Sequence, residues 1–153
     1  MILSQEQQMI RDSVRAFASE RLAPNAAQWD RDCAFPHEQL REMAALGLLG
    51  ITVPEQWGGA GLDYVCMALA LEEIAAGDGA TSTITSVQSL VCNIFNGYAS
   101  DAQKERFLKP LARGDMLGCF CLTEPHVGSD AAAIRTRAER AGNDYVLNGV
   151  KQF

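Results

Sequence analysis

The sequence predicts a mainly α protein: an all-helical domain over residues 1–113, then the first strands of an incomplete β domain over residues 114–153. Three observations carry this expectation. Apolar residues recur at helical spacing from Ser4 to Arg113, in segments bounded by capping residues, proline and glycine. After Gly114 the pattern changes to short apolar runs with alternating neighbours. The composition is that of a folded chain, 153 residues with 48% apolar and 21% charged side chains, long enough to enclose a core without disulfide staples.

The first helix opens at Ser4, an N-cap candidate with Gln7 three positions on to close a capping box. Ile10, Val14, Phe17 and Ala18 form its apolar face, and Pro24 is expected to interrupt or kink it. A second helix is expected from Pro36, a residue suited to the first helical position. It carries Leu40, Met43, Ala44 and Leu46 and stops at Gly47. The run from Leu48 to Gly61 contains Pro54, Gly50, Gly58, Gly59 and Gly61 and reads as a shaped loop. It lacks the Gly-Lys-Ser/Thr ending of a phosphate loop. A third helix is expected from about Asp63 to Ala76, with Val65, Leu69 and Ile74 on its apolar face.

The fourth helix, about Thr81 to Tyr98, lies in the 22 uncharged residues from Gly79 to Ser100. That length could span a bilayer, but ten of these residues are Ser, Thr, Gln or Asn. Such a polar load suits a helix buried in protein, or one lining a pocket with polar contents. Phe95 and Tyr98 read as core residues. A fifth helix starts at the Ser100–Gln103 capping box and ends near Arg113-Gly114. Met116–Leu122 then reads as a buried strand, and Arg135–Glu139 with Tyr145–Leu147 as a hairpin turning at Asn143-Asp144. So few strands are marginal alone, and residues 114–153 read as the opening of a larger sheet.

Thirteen Lys and Arg against 19 Asp and Glu leave a net charge of −6. That balance disfavours nucleic acid as a partner, and no segment reads as a basic amphipathic membrane anchor. Five cysteines (Cys33, Cys66, Cys92, Cys119 and Cys121) are an odd number without a regular framework, pointing to reduced, partly buried thiols. Cys119 and Cys121 alternate on the expected strand and are expected to be buried on one face. With His37 and His126 the only histidines, no metal site is expected. The opening Met1–Glu6 lacks the basic-then-apolar pattern of an export signal, so a cytoplasmic protein is expected.

Chemistry is densest at Cys121-Leu122-Thr123-Glu124-Pro125-His126-Val127-Gly128-Ser129-Asp130. The expected strand ends at Leu122, and Thr123 offers a hydroxyl and an N–H at its end. Gly128-Ser129-Asp130 presents consecutive backbone N–H groups and a hydroxyl, suited to an anion such as a pyrophosphate. An ordinary Pro/Gly surface loop would have the same composition, and both readings stand on the residues alone.

The segment resembles the signature of the acyl-CoA dehydrogenase family, matched at Cys121, Leu122, Thr123, Glu124, Gly128, Ser129, Asp130 and Ala133, with Val127 where the family has a small residue. Three further blocks follow the family in order: Val53–Tyr64, Ala102–Lys104 with Phe107-Leu108, and Tyr145–Lys151. The resemblance implies an N-terminal helical acyl-CoA dehydrogenase domain followed by the start of a middle β-barrel. It implies FAD as cofactor, with Phe120, Cys121, Leu122 and Thr123 along the flavin edge and Gly128 and Ser129 at the pyrophosphate. Ser129 would also lie near the thioester arm of an acyl-CoA substrate, and Ser86 and Leu90 would line an acyl pocket for a short or branched chain. Glu124 would shape the loop. The catalytic base would come from a region beyond Phe153, so no catalytic residue is assigned within this chain. The resemblance further implies α,β-dehydrogenation to a trans-2-enoyl-CoA, electron-transfer flavoprotein as acceptor and a homotetramer in full-length relatives. A non-catalytic helical interaction module that keeps the family's N-terminal fold is the alternative. A thiol redox protein would want a C-x-x-C pair that the sequence lacks.

Overall fold

The computed structural model describes residues 2–153. It divides into two compact units, one ending at Cys119 and one spanning Phe120–Phe153.

The helical unit starts where local chemistry starts it. Ser4 caps α1 (Gln5–Phe17), and the reciprocal Ser4–Gln7 bonds, both 3.1 Å, complete the capping box. A π-helical turn, Ala18–Leu22, joins α1 to α2 (Ala23–Asp32). The cause is Pro24, in the first turn of α2, which donates no N–H and crowds the preceding turn. The chain widens so that the Ala23 N–H reaches back five residues to the Ala18 carbonyl. The same device recurs before Pro110. There α6 (Asp101–Gln103) passes through a π-helical turn, Lys104–Leu108, into α7 (Lys109–Arg113), and the Lys109 N–H bonds the Lys104 carbonyl. The expected proline kink is thus absorbed as a wide turn, and Val14, Ala18 and Leu22 stay in one buried line.

Pro36 sits one residue before α3 (His37–Ala45), at its N-cap instead of inside it. The loop after Gly47 folds back on itself. Ala60 donates to the Gly50 carbonyl, Gly61 to Val53 and Leu62 to Ile51, at 2.9–3.0 Å. Gly59 permits this: a Cβ there would stand 2.2 Å from the Val53 carbonyl oxygen.

Asp63 and Asp78 cap α4 (Tyr64–Gly77) and α5 (Gly79–Tyr98). The buried line of α4 is Cys66, Ala70 and Ile74, so Val65 and Leu69 lie half-buried beside it. The expected face is one residue out of phase at two of its three positions, because α4 is apolar nearly all round and its periodicity carries little information. Two apolar clusters fill the unit. One is built around Leu22, Met43, Leu49, Ile51 and Ile74, the other around Val53, Cys92, Leu108 and Leu111. Trp29 and Trp57 pack against them, and so does Phe95, but Tyr98 is exposed and not a core residue.

Met116–Leu122 does not form the expected strand. A strand needs partners for its backbone, and these groups bond elsewhere. The Gly118 N–H goes to the Gln88 side chain, and the Leu122 carbonyl accepts from the Lys151 ammonium. Without a covering layer, Met116, Leu117 and Phe120 are exposed, and so are Cys119 and Cys121, contrary to the buried role expected of both thiols. Cys66 and Cys92 are buried, and burial pushes both thiols up, Cys92 to about 11.

In the second unit β1 (Arg137–Ala141) pairs antiparallel with β2 (Asp144–Asn148), Ala141 opposite Asp144. The turn is therefore Gly142-Asn143, one residue before the expected one, with Gly142 at φ 65°. Both strands are exposed on both faces, Leu147 at 72%. Among the described residues no helix is long and apolar enough to cross a membrane, and no group of three or more His, Cys, Asp or Glu is placed to hold a metal.

Candidate functional site

In the second unit the loop is organised by one carboxylate. Glu124 and Val127 bond reciprocally through their backbones at 2.9 and 3.0 Å, closing a tight turn with Pro125 and His126 exposed at its tip. Val127, larger than the family's small residue, is buried against this turn. The Glu124 side chain points inward and is 3% exposed. Its Oε2 accepts from the Arg135 N–H at 2.7 Å; its Oε1 accepts from the Thr136 N–H at 2.9 Å and from Lys151 Nζ at 3.0 Å. Lys151 also donates to the Leu122 carbonyl at 2.9 Å, and the Gln152 N–H to the Thr123 carbonyl at 2.9 Å. Three stretches far apart in sequence, 122–124, 135–136 and 151–152, converge on this group. His126 Nε2 lies 3.5 Å from Oε2.

This environment holds the Glu124 carboxyl well below the usual carboxylate range. The Thr136 hydroxyl beside it is the leading cause, followed by the Arg135 N–H. The Thr136 N–H and the Lys151 ammonium add to them against the opposing effect of burial. The hydroxyl itself is near but outside hydrogen-bond geometry, and its oxygen is buried without a partner. Gly149 makes the close packing possible, since a Cβ there would stand 2.1 Å from that oxygen. A carboxylate so saturated with donors is a poor proton acceptor. It shapes the loop, as the family resemblance implies.

Thr123 is half-buried, and Phe120, Cys121, Gly128 and Ser129 are exposed. The Thr123 carbonyl is used by Gln152, while the Thr123 and Ser129 hydroxyls enter no hydrogen bond among the described residues. A Cβ at Gly128 would meet nothing within 4 Å, so the backbone there is open to close approach. Two hydroxyl donors beside open backbone are a donor set that fits the carbonyl and phosphate oxygens of a flavin nucleotide.

In the helical unit, Ser86 and Leu90 lie one turn apart on the exposed face of α5. An apolar cavity of about 350 Å³ opens between Thr83, Ile84 and Val87 of α5, Phe35 and the Leu117–Cys119 segment. Neither Ser86 nor Leu90, the expected acyl-pocket residues, lines this cavity. The residues that sequence reasoning missed are Lys151, Thr136 and Gln88. Their partners lie 12 to 30 positions away, beyond any local pattern.

Residues 4–115 match the acyl-CoA dehydrogenase N-terminal domain and residues 119–153 the acyl-CoA dehydrogenase middle domain. The chain is 45% identical over 152 residues to the mitochondrial short-chain specific acyl-CoA dehydrogenase of Rattus norvegicus, covering 99% of this chain and 37% of the relative. It is 44% identical over 154 residues to an acyl-CoA dehydrogenase of Bacillus subtilis (strain 168), covering 100% of this chain and 41% of the relative. A glutaryl-CoA dehydrogenase from Mycobacterium smegmatis, solved in complex with FADH2, superposes with a TM-score of 0.92 at 41% identity, over 97% of this chain and 39% of that one. The chain thus spans about two fifths of the length of these relatives. With both domain types matched in order along nearly its whole length, it belongs to the acyl-CoA dehydrogenase family.

Proposed function

We propose that this chain is the N-terminal, flavin-facing part of an FAD-dependent acyl-CoA dehydrogenase that acts on a short or branched acyl group. The observation that carries the reading is the Glu124-held loop, which leaves Thr123 and Ser129 as uncommitted donors beside open backbone. Thr123 donates its hydroxyl to the isoalloxazine ring, and the Phe120–Leu122 backbone runs along the ring edge. Ser129, with the N–H groups after Gly128, holds the pyrophosphate. FAD, when bound, supplies the oxidant that takes the β-hydrogen of the acyl group as hydride while a base removes the α-proton. Glu124 is not that base, because three hydrogen bonds already engage its two oxygens and its carboxyl is held well below the usual range. The base belongs to a region outside these residues, so the chain alone forms no enoyl-CoA.

The acyl end occupies the apolar cavity beside Thr83 and Val87, with Ser86 and Leu90 on the same helix. The short-chain preference rests on relatives named as short-chain specific. Electron-transfer flavoprotein as acceptor, a homotetramer for the whole protein and a cytoplasmic location complete the reading.

The test is a visible difference spectrum of FAD mixed with the chain at equilibrium, on wild type, Thr123→Val and Ser129→Ala. The wild type is expected to perturb the flavin bands, and each variant to weaken the perturbation. FAD bands unchanged by the wild-type chain at high concentration would reject the assignment of this loop.

A further inference from the structure

The interior of the helical unit holds a polar side chain, Gln88, whose three hydrogen bonds all go to α7 and the segment that follows it. Gln88 is 1% exposed. Its Nε2 donates to the Leu111 carbonyl at 2.8 Å and to the Met116 carbonyl at 3.1 Å, and its Oε1 accepts from the Gly118 N–H at 2.7 Å. Two carbonyls and one N–H must be matched, so the amide has only one satisfactory orientation. A second feature acts in the same direction. A Cβ at Gly118 would stand 2.7 Å from Val91 Cγ1, so only glycine lets the segment lie this close on α5. The segment held in this way, Leu117–Cys119, lines the apolar cavity together with Phe35 and with Thr83, Ile84 and Val87 of the same helix.

We propose that Gln88 is a positioning residue for acyl-chain length: by tying residues 116–118 to α5 it fixes the width of the cavity that takes the acyl end. The inference rests on the acyl-CoA reading above. Gln88 touches no substrate; it acts through Leu117 and Gly118. Releasing the wall should let longer chains bury more methylenes, at about fourfold in affinity for each one newly buried.

The experiment measures the ratio of octanoyl-CoA to butanoyl-CoA affinity by calorimetry on wild type, Gln88→Leu, Gln88→Glu and Ile74→Ala. The last is a control, a fully buried α4 residue that does not line the cavity. Gln88→Leu should shift the ratio at least about fourfold toward octanoyl-CoA and abolish hydrogen-exchange protection of the Gly118 amide. Ile74→Ala should lower stability and leave the ratio unchanged. Where Gln88→Leu does not fold, Gln88→Glu carries the test. Its carboxylate faces two carbonyl oxygens at about pH 8 and should shift the ratio; protonated at about pH 5, it can donate again and should move the ratio back. Wild-type binding with an unchanged ratio in the Gln88 variants overturns this inference alone. No binding of either acyl-CoA by the wild type overturns the acyl-CoA reading and the inference with it.

Discussion

The two units of this chain are held by opposite means. Up to Cys119, order comes from apolar burial: Leu22, Met43, Leu49, Ile51 and Ile74 are almost wholly enclosed, and polar groups serve as caps and clamps around that core. From Phe120 onward only two residues are buried, Val127 and the ionised Glu124. A core spreads its contribution over many contacts, so single losses are graded. A hub concentrates it in one group whose removal leaves several donors together without their partner. The second unit is therefore the more sensitive to charge and to pH, and it carries the loop assigned to the flavin.

The sharpest way to break the comparison is Glu124→Ala. The expected result is complete loss of exchange protection at the Arg135 and Thr136 amides and collapse of hairpin signals, with helical circular dichroism retained. Loss of both units together would show that the helical unit depends on the hub.

Acid should reproduce that loss by degrees. The folded carboxyl of Glu124 lies below its unfolded value, so its contribution is fully present above the ordinary carboxylate value of about 4.3 and is lost as pH falls toward the folded one. Glu42 and Glu73 are also lowered, by the bonds they receive from Arg21 and Arg15, but these pairs sit at the surface of the helical unit and are screened by solvent. The amide chemical shifts of Arg135 and Thr136 should therefore change at higher pH than the helical signal. Simultaneous transitions would contradict the assignment of the hub.

In the helical unit Ile74→Ala should cost about 2–5 kcal/mol in denaturant unfolding, while the amide shifts around Glu124 stay where they are. A smaller effect is expected at Asp78, which accepts from the Thr81 N–H at the start of α5. Asp78→Ala should cost about 1 kcal/mol by the same measurement. A loss as large as that of Ile74→Ala would mean that Asp78 does more than cap.

The same contrast explains what the sequence made legible. Ser4 with Gln7, Asp63, and Ser100 with Gln103 act within three residues of themselves, so those helix starts could be read directly, whereas the Asp78 cap went unread and α5 begins at Gly79, ahead of the expected Thr81. Gly47 and Gly114 mark chain reversals by their positive φ, again a local property. Met116–Leu122 was misread because an apolar run specifies a strand only when partners exist to pair with it. The buried line of α4 was misphased because nearly every side of that helix is apolar. In the loop, Thr123, Glu124 and Ser129 were singled out by the family pattern. The donors that fix Glu124 were not, since the Arg135, Thr136 and Lys151 contacts come from tertiary folding. Gln88 gave no sequence signal for the same reason.

The central claim is that a carboxylate hub presents a flavin-binding loop. Its most direct test is the equilibrium FAD difference spectrum of wild type and Glu124→Ala, side by side with helical circular dichroism. The account expects flavin bands perturbed by the wild type and unperturbed by Glu124→Ala, with helix content equal in both. Equal perturbation by the two proteins, or none by either, would contradict it.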